Sequence, residues 1–106
     1  MFLGAGPALA YQTATLSGVG QARVYNNFGS ANDVFVGAWD DVPDQNPVYV
    51  RYYRSASSST ERTLWNKLGG GTETRSGTGS WVTKAKICES QLAQPDDCSV
   101  FVAMDH

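Results

Sequence analysis

Val48-Tyr49-Val50-Arg51-Tyr52-Tyr53-Arg54 (VYVRYYR) decides the class of fold. β-Branched and aromatic residues suit a pleated strand, in which successive side chains point to opposite faces. Val48, Val50 and Tyr52 therefore share one face, and Tyr49, Arg51 and Tyr53 share the other. The first set reads as core and the second as an amphipathic outer surface.

Working outward, residues 33–39 (DVFVGAW) alternate Val34 and Val36 against Phe35 and read as another strand. Asp40, Asp41, Pro43, Asp44, Asn46 and Pro47 then make a loop, because proline removes backbone donors and Asx side chains compete with ladder bonds. Residues 21–25 open the folded part, followed by a turn at residues 26–30. Beyond the central strand, residues 55–59 are a low-complexity turn. Residues 60–68 (TERTLWNKL) set Arg62, Leu64 and Asn66 against Thr63, Trp65 and Lys67. Residues 69–79 read as a glycine-rich hairpin loop, mobile at its tip. Residues 80–88 place Trp81, Thr83, Ala85 and Ile87 opposite Val82, Lys84, Lys86 and Cys88, and residues 99–104 supply the last strand. Residues 85–94 have room for one or two helical turns. The expected fold is all-β, a small antiparallel β-sandwich or barrel of about six short strands with one disulfide.

The chain has 106 residues, 42% hydrophobic and 11% aromatic, which allows one domain with one core. Only 17% are charged, a balance of strand-and-turn proteins rather than helical ones. Formal net charge is −2 and the eight Lys and Arg are scattered, so no nucleic-acid partner is expected. No run approaches the roughly 18 apolar residues that span a bilayer, and no membrane partner is expected either.

Residues 1–10 are small and apolar and end in Ala8-Leu9-Ala10, which fits a signal-peptidase site. They read as the remnant of an export signal without its charged leader. Residues 11–20 (YQTATLSGVG) are short of large apolar side chains and read as a flexible arm. Residues 21–106 are then the single β-domain. Cys88 and Cys98 bracket Pro95, Asp96 and Asp97; two cysteines are too few for zinc, and an exported chain meets an oxidising compartment, so a disulfide is expected.

Catalysis finds little to work with. The one histidine is His106, at the last position, and no Gly-x-Ser-x-Gly elbow is present. Asp40 with Asp41 and Asp96 with Asp97 fall in loops where carboxylates stay solvated, so they read as turn formers rather than a hydrolytic pair. Asp40, Asp41, Asp44 and Asn46 lack the spacing of an EF-hand, and the glycines at 69–71 lack the Lys-Ser/Thr of a phosphate loop. No catalytic residue, metal or cofactor is expected, and binding is the better reading than catalysis. Tyr49, Arg51, Tyr53 and Trp65 are of the types enriched at binding hot spots.

Val24-Tyr25-Asn26-Asn27, Val48-Tyr49-Val50-Arg51-Tyr52-Tyr53, Leu64-Trp65-Asn66-Lys67 and the Cys88/Cys98 pair together resemble small secreted actinobacterial β-sandwich proteins. Among these the chain looks most like the adaptor subunit of the umbrella toxin particles, over most of residues 21–102. The resemblance implies a secreted, non-enzymatic adaptor that joins another secreted protein, a lectin-like subunit, to a repeat-containing stalk. On this reading the arm docks as an extended strand. The expected partner-binding residues are Tyr11, Gln12, Thr13, Ala14, Thr15, Leu16 and Ser17, with Tyr49, Arg51, Tyr53 and Trp65 on the aromatic face. Two readings compete with it. One is a carbohydrate-binding or antimicrobial module in which Trp39, Tyr53 or Trp65 stacks on sugar rings. The other is a hydrolase inhibitor presenting residues 69–79, whose glycines count against it because flexible loops lose entropy on binding.

Overall fold

The computed structural model describes residues 11–26, 32–43 and 45–105. The export-signal reading of residues 1–10, most of the turn at 26–30, Asp44 and His106 lie outside the described residues. Along the chain run β1 (Gln12–Leu16), β2 (Gly20–Tyr25), β3 (Phe35–Asp40), β4 (Val48–Arg54), β5 (Ser57–Asn66), β6 (Thr72–Arg75), β7 (Val82–Glu89), β8 (Asp97–Cys98) and β9 (Val102–Ala103). Sheet one has the order β1-β2-β3-β6, and sheet two has the order β5-β4-β7-β8 with β9 also paired to β7. Every pairing is antiparallel. The result is an all-β sandwich, with the Cys88–Cys98 disulfide tying β8 to β7 within sheet two.

The alternation along β4 sets the inside. Val48, Val50 and Tyr52 enter the core, beside Leu64 of β5 and Ile87 and Ala85 of β7, and Ala22, Val24, Val36 and Ala38 of sheet one complete it. Seven valines and four alanines make up most of the fourteen buried core residues. Such short side chains bring the sheets close but interlock them weakly.

Two buried polar side chains supply the missing alignment. Asn66, fully buried on β5, donates from Nδ2 to Ala38 O (3.0 Å) and Thr72 O (2.9 Å) of sheet one, and its Oδ1 accepts from Leu68 N (2.9 Å). At the end of β4, Arg54 donates to the carbonyls of Val34 (3.1 Å), Ser80 (2.6 Å) and Gly77 (3.1 Å). A side chain at Gly79 would collide with it, since a Cβ there would lie 2.9 Å from Arg54 Nη1.

Several expectations are corrected. Residues 11–20 are not a flexible arm: β1 is paired with β2 from Gln12↔Val24 to Leu16↔Gly20, and Ala14 is fully buried. Ala14 and the partly buried Leu16 suffice because the ladder bonds do most of the ordering of this strand. Its turn is closed by Val19 N donating to Leu16 O (3.0 Å), with Gly18 at φ +77°, the conformation a type II turn requires at that position. Residues 57–59 belong to β5, and the reversal is confined to Ser55 and Ala56. Residues 72–75, expected inside a glycine-rich loop, form β6 because Thr72 to Arg75 pair with β3. Residues 85–89 continue β7, without a helical turn. Residues 99–104 are not one strand: within them only β9 (Val102–Ala103) is strand, and β8 lies just before them. Along β7 both Val82 and Ala85 face the core, which strict alternation forbids. A register shift opposite Tyr53 and Arg54 makes room for Thr83 as the extra residue, so Thr83 does not share the inner face of Ala85 and Ile87.

Replacing Arg54 by alanine strands three carbonyls, and should lower the unfolding free energy by about 2–4 kcal/mol in urea titrations. A loss well under about 1 kcal/mol would mean that the sheets align without it. Converting both Cys88 and Cys98 to serine should cost about 3 kcal/mol in the same assay, from the entropy the unfolded chain regains.

Candidate functional site

On the outer side of sheet two, β4 presents Arg51 and Tyr53, with Tyr49 on the same side but only 3% exposed, and β5 presents Trp65 directly across from Tyr49. The four residues expected from sequence therefore do converge. The Tyr49 and Trp65 rings lie 4.5 Å apart. Arg51 pairs with Glu61 (2.8 Å) and leans over the Tyr49 ring at 5.4 Å, while Tyr53 donates to the other oxygen of Glu61 (3.2 Å). Tyr49 also donates to Asp96, in the loop that Cys88–Cys98 closes, so this loop continues the face. Burial, and then the Asp96 carboxylate, push the Tyr49 phenol above its ordinary pKa.

Four further residues belong here that sequence reasoning did not assign to a site. Lys84 lies over the rings of Tyr53 (4.7 Å) and Phe101 (4.8 Å), Lys86 over Phe101 (4.7 Å), and Lys67 over Trp65 (5.0 Å). Lys84 and Lys86 carry a readable signal, the polar alternation of residues 82–88. Phe101, in the irregular stretch between β8 and β9, gave none.

Sheet one carries a second array. Arg23 lies between Tyr11 (4.9 Å) and Trp39 (4.5 Å), and Arg75 lies over Tyr25 (4.8 Å) and Phe35 (5.1 Å), whose rings stack at 4.5 Å. At its centre Glu73 accepts from Tyr25 OH (2.6 Å) and pairs with Arg75 (3.0 Å) and Arg23 (3.7 Å). Glycine at position 37 permits this, because a Cβ there would fall 2.1 Å from Glu73 Oε2. Burial, and then Glu73, raise the Tyr25 phenol above its ordinary value, while hydrogen bonding to Glu73 raises Arg75. Both arginines of this array share the one carboxylate of Glu73. The alternating Arg23 and Tyr25, and Phe35, Gly37 and Trp39, were a signal for it.

The expected arm residues serve the fold of sheet one rather than the face of sheet two. Tyr11 joins the Arg23 array, Ala14 is core, Leu16 packs against the core, and Ser17 lies in the turn. Thr13 and Thr15 pair with Arg23 and Gln21 in the ladder. Gln12 accepts from Asp105 N (2.7 Å) and donates to Asp105 O (2.9 Å). Trp39 is on sheet one while Tyr53 and Trp65 are on sheet two, so no single groove holds all three.

Among the described residues no three His, Cys, Asp or Glu side chains converge. An open depression lined by Gln45, Asn46, Pro47, Lys67, Leu68 and Gly69 adjoins the Trp65 end of sheet two. The fold and its faces define a two-sheet antiparallel β-sandwich with one disulfide inside sheet two and an aromatic and cationic array on each outer side. No family model matches this chain, and neither a curated protein nor a solved structure does.

Because the folded state holds the Tyr25 and Tyr49 phenols neutral beyond their ordinary pKa of 10.0, their contribution is whole below that pH. It is lost as pH rises through the folded-state values. The melting temperature should therefore fall above pH 10.0, and the fall should be shallower in Tyr25→Phe and Tyr49→Phe. Equal slopes in wild type and both variants would contradict this.

Proposed function

We propose that the chain is an exported, non-enzymatic binding subunit that engages another secreted protein through the outer face of sheet two. One observation carries the reading: Tyr53, Trp65 and Phe101 gather there over the buried Tyr49, among Arg51, Lys67, Lys84 and Lys86. Aromatic residues and arginine are the types that anchor protein interfaces, and a broad sheet surface suits a macromolecule better than a small ligand, which needs concavity. Cations lie over these rings, and that favours a protein surface over stacked sugars, which need open ring faces. The disulfide is in keeping with an oxidising, extracellular setting.

The finer form of the reading is an adaptor between a lectin-like subunit and a repeat-built stalk, as in the umbrella toxin particles that the sequence resembles. Two chemically different arrays on opposite sheets support it, since an adaptor needs two separate surfaces. With residues 12–16 built into sheet one, docking through a free arm is no part of it.

Tagged protein should capture a specific protein from culture supernatant, and Tyr53→Ala/Trp65→Ala should lose it while melting normally. Undiminished capture by that variant, or capture of polysaccharide alone, would overturn the reading.

A further inference from the structure

The cations of sheet two are arranged in a way that the fold alone does not need. Arg51 on β4 stands directly across from Lys86 on β7, and Tyr53 across from Lys84. Like charges opposite one another on a sheet destabilise it. Arg51 is answered by Glu61 (2.8 Å), but among the described residues the ion pairs involve neither Lys84 nor Lys86. These two lysines rest instead on the rings of Tyr53 and Phe101. The surface thus gathers Arg51, Lys67, Lys84 and Lys86, half of the eight Lys and Arg of a chain whose net charge is −2.

We infer that this row receives an acidic polypeptide segment of the partner, whose carboxylates settle on Lys84, Lys86 and Arg51 while its apolar side chains meet Phe101, Tyr53 and Trp65. The inference rests on the reading of this face as the binding surface. Charge complementarity selects the occupant, because an anion laid across Arg51 and Lys86 relieves their mutual repulsion. Spacing selects a polypeptide. Lys84 and Lys86 lie two residues apart on one strand, about 6.6–6.8 Å, which is also the repeat of same-side carboxylates on an extended acidic chain.

The test is an NMR titration of the isotope-labelled protein with poly-L-glutamate, and separately with heparin, at low and high salt. Poly-L-glutamate should shift the amides of Arg51, Tyr53, Lys84 and Lys86, with binding weakened by salt. Lys84→Gln/Lys86→Gln should bind at least about tenfold more weakly, a loss in keeping with removed charge pairs. Normal melting of that variant establishes that its fold is intact. Unchanged affinity in the variant, or shifts confined to the Arg23 and Arg75 surface, would overturn the inference. So would tighter binding of heparin at the same residues, which would make the surface a glycan site. If supernatant capture is lost with Tyr53→Ala/Trp65→Ala but kept with Lys84→Gln/Lys86→Gln, the binding face stands and the acidic partner falls. If both variants capture normally, both fall.

Discussion

Arg54 brings a guanidinium into the interior at the point where β4 ends, and the carbonyls of Val34, Gly77 and Ser80 are the groups that receive it. A charged group taken out of water must find acceptors that replace its hydration, and here they come from segments that lead into and out of both sheets. The Val34 and Gly79 backbones are bridged at the same place, N to O at 3.1 and 3.0 Å, so the guanidinium and the bridge hold one another. A core in which valine and alanine predominate interlocks too weakly to do this alone. There is a second consequence for the surface. With Arg54 pointing inward, the pleat obliges Tyr53, and with it Arg51 and Tyr49, to point outward. The aromatic face is the reverse side of the constraint that aligns the sheets.

The parts of the fold legible in the sequence are those where chemistry alternates strictly. In residues 48–54 the inner and outer sets were separable because valines and one tyrosine fall on one parity and amphipathic residues on the other. The disulfide was legible from composition, since two cysteines left few other uses. β1 was not, because it buries one alanine completely and owes its order to β2, a neighbour that a strand's own residues do not announce. β6 was hidden for a similar reason: Thr-Glu-Thr-Arg between glycines looks like a loop until β3 lies beside it. On the site, Tyr49, Arg51, Tyr53 and Trp65 were found because they sit on two strands with clean alternation. Phe101 and the Glu73 array were not, because they depend on contacts such as Tyr25 with Glu73 that span 48 positions. The extra residue at Thr83 conceals which parity of β7 faces inward at its start.

The two outer surfaces share a vocabulary and differ in what they leave open. On sheet one the carboxylate of Glu73 sits over a glycine and answers both arginines, so rings and charges are consumed in holding Tyr11, Tyr25, Phe35 and Trp39 in place. Such an array stiffens a sheet whose edge strand is only five residues long. On sheet two one arginine is answered and three lysines are left against aromatic rings. A surface whose cations both already sit on a carboxylate gains less from a partner than one whose lysines have only apolar rings beside them, which has both long-range attraction and short-range adhesion to offer.

The pairing of the Gln12 amide with the backbone of Asp105, joined there by Asn26 Nδ2 at 2.6 Å, places the first strand and the last described residues side by side. A polypeptide that enters and leaves at one spot can be carried as a cassette, spliced into a surface loop of a host protein without prying that loop apart. It can equally be rewired. A short link between those two positions and a cut at the tight reversal of Ser55 and Ala56 would give a permuted chain with the same two sheets, in which β5 comes first and the aromatic strand β4 comes last.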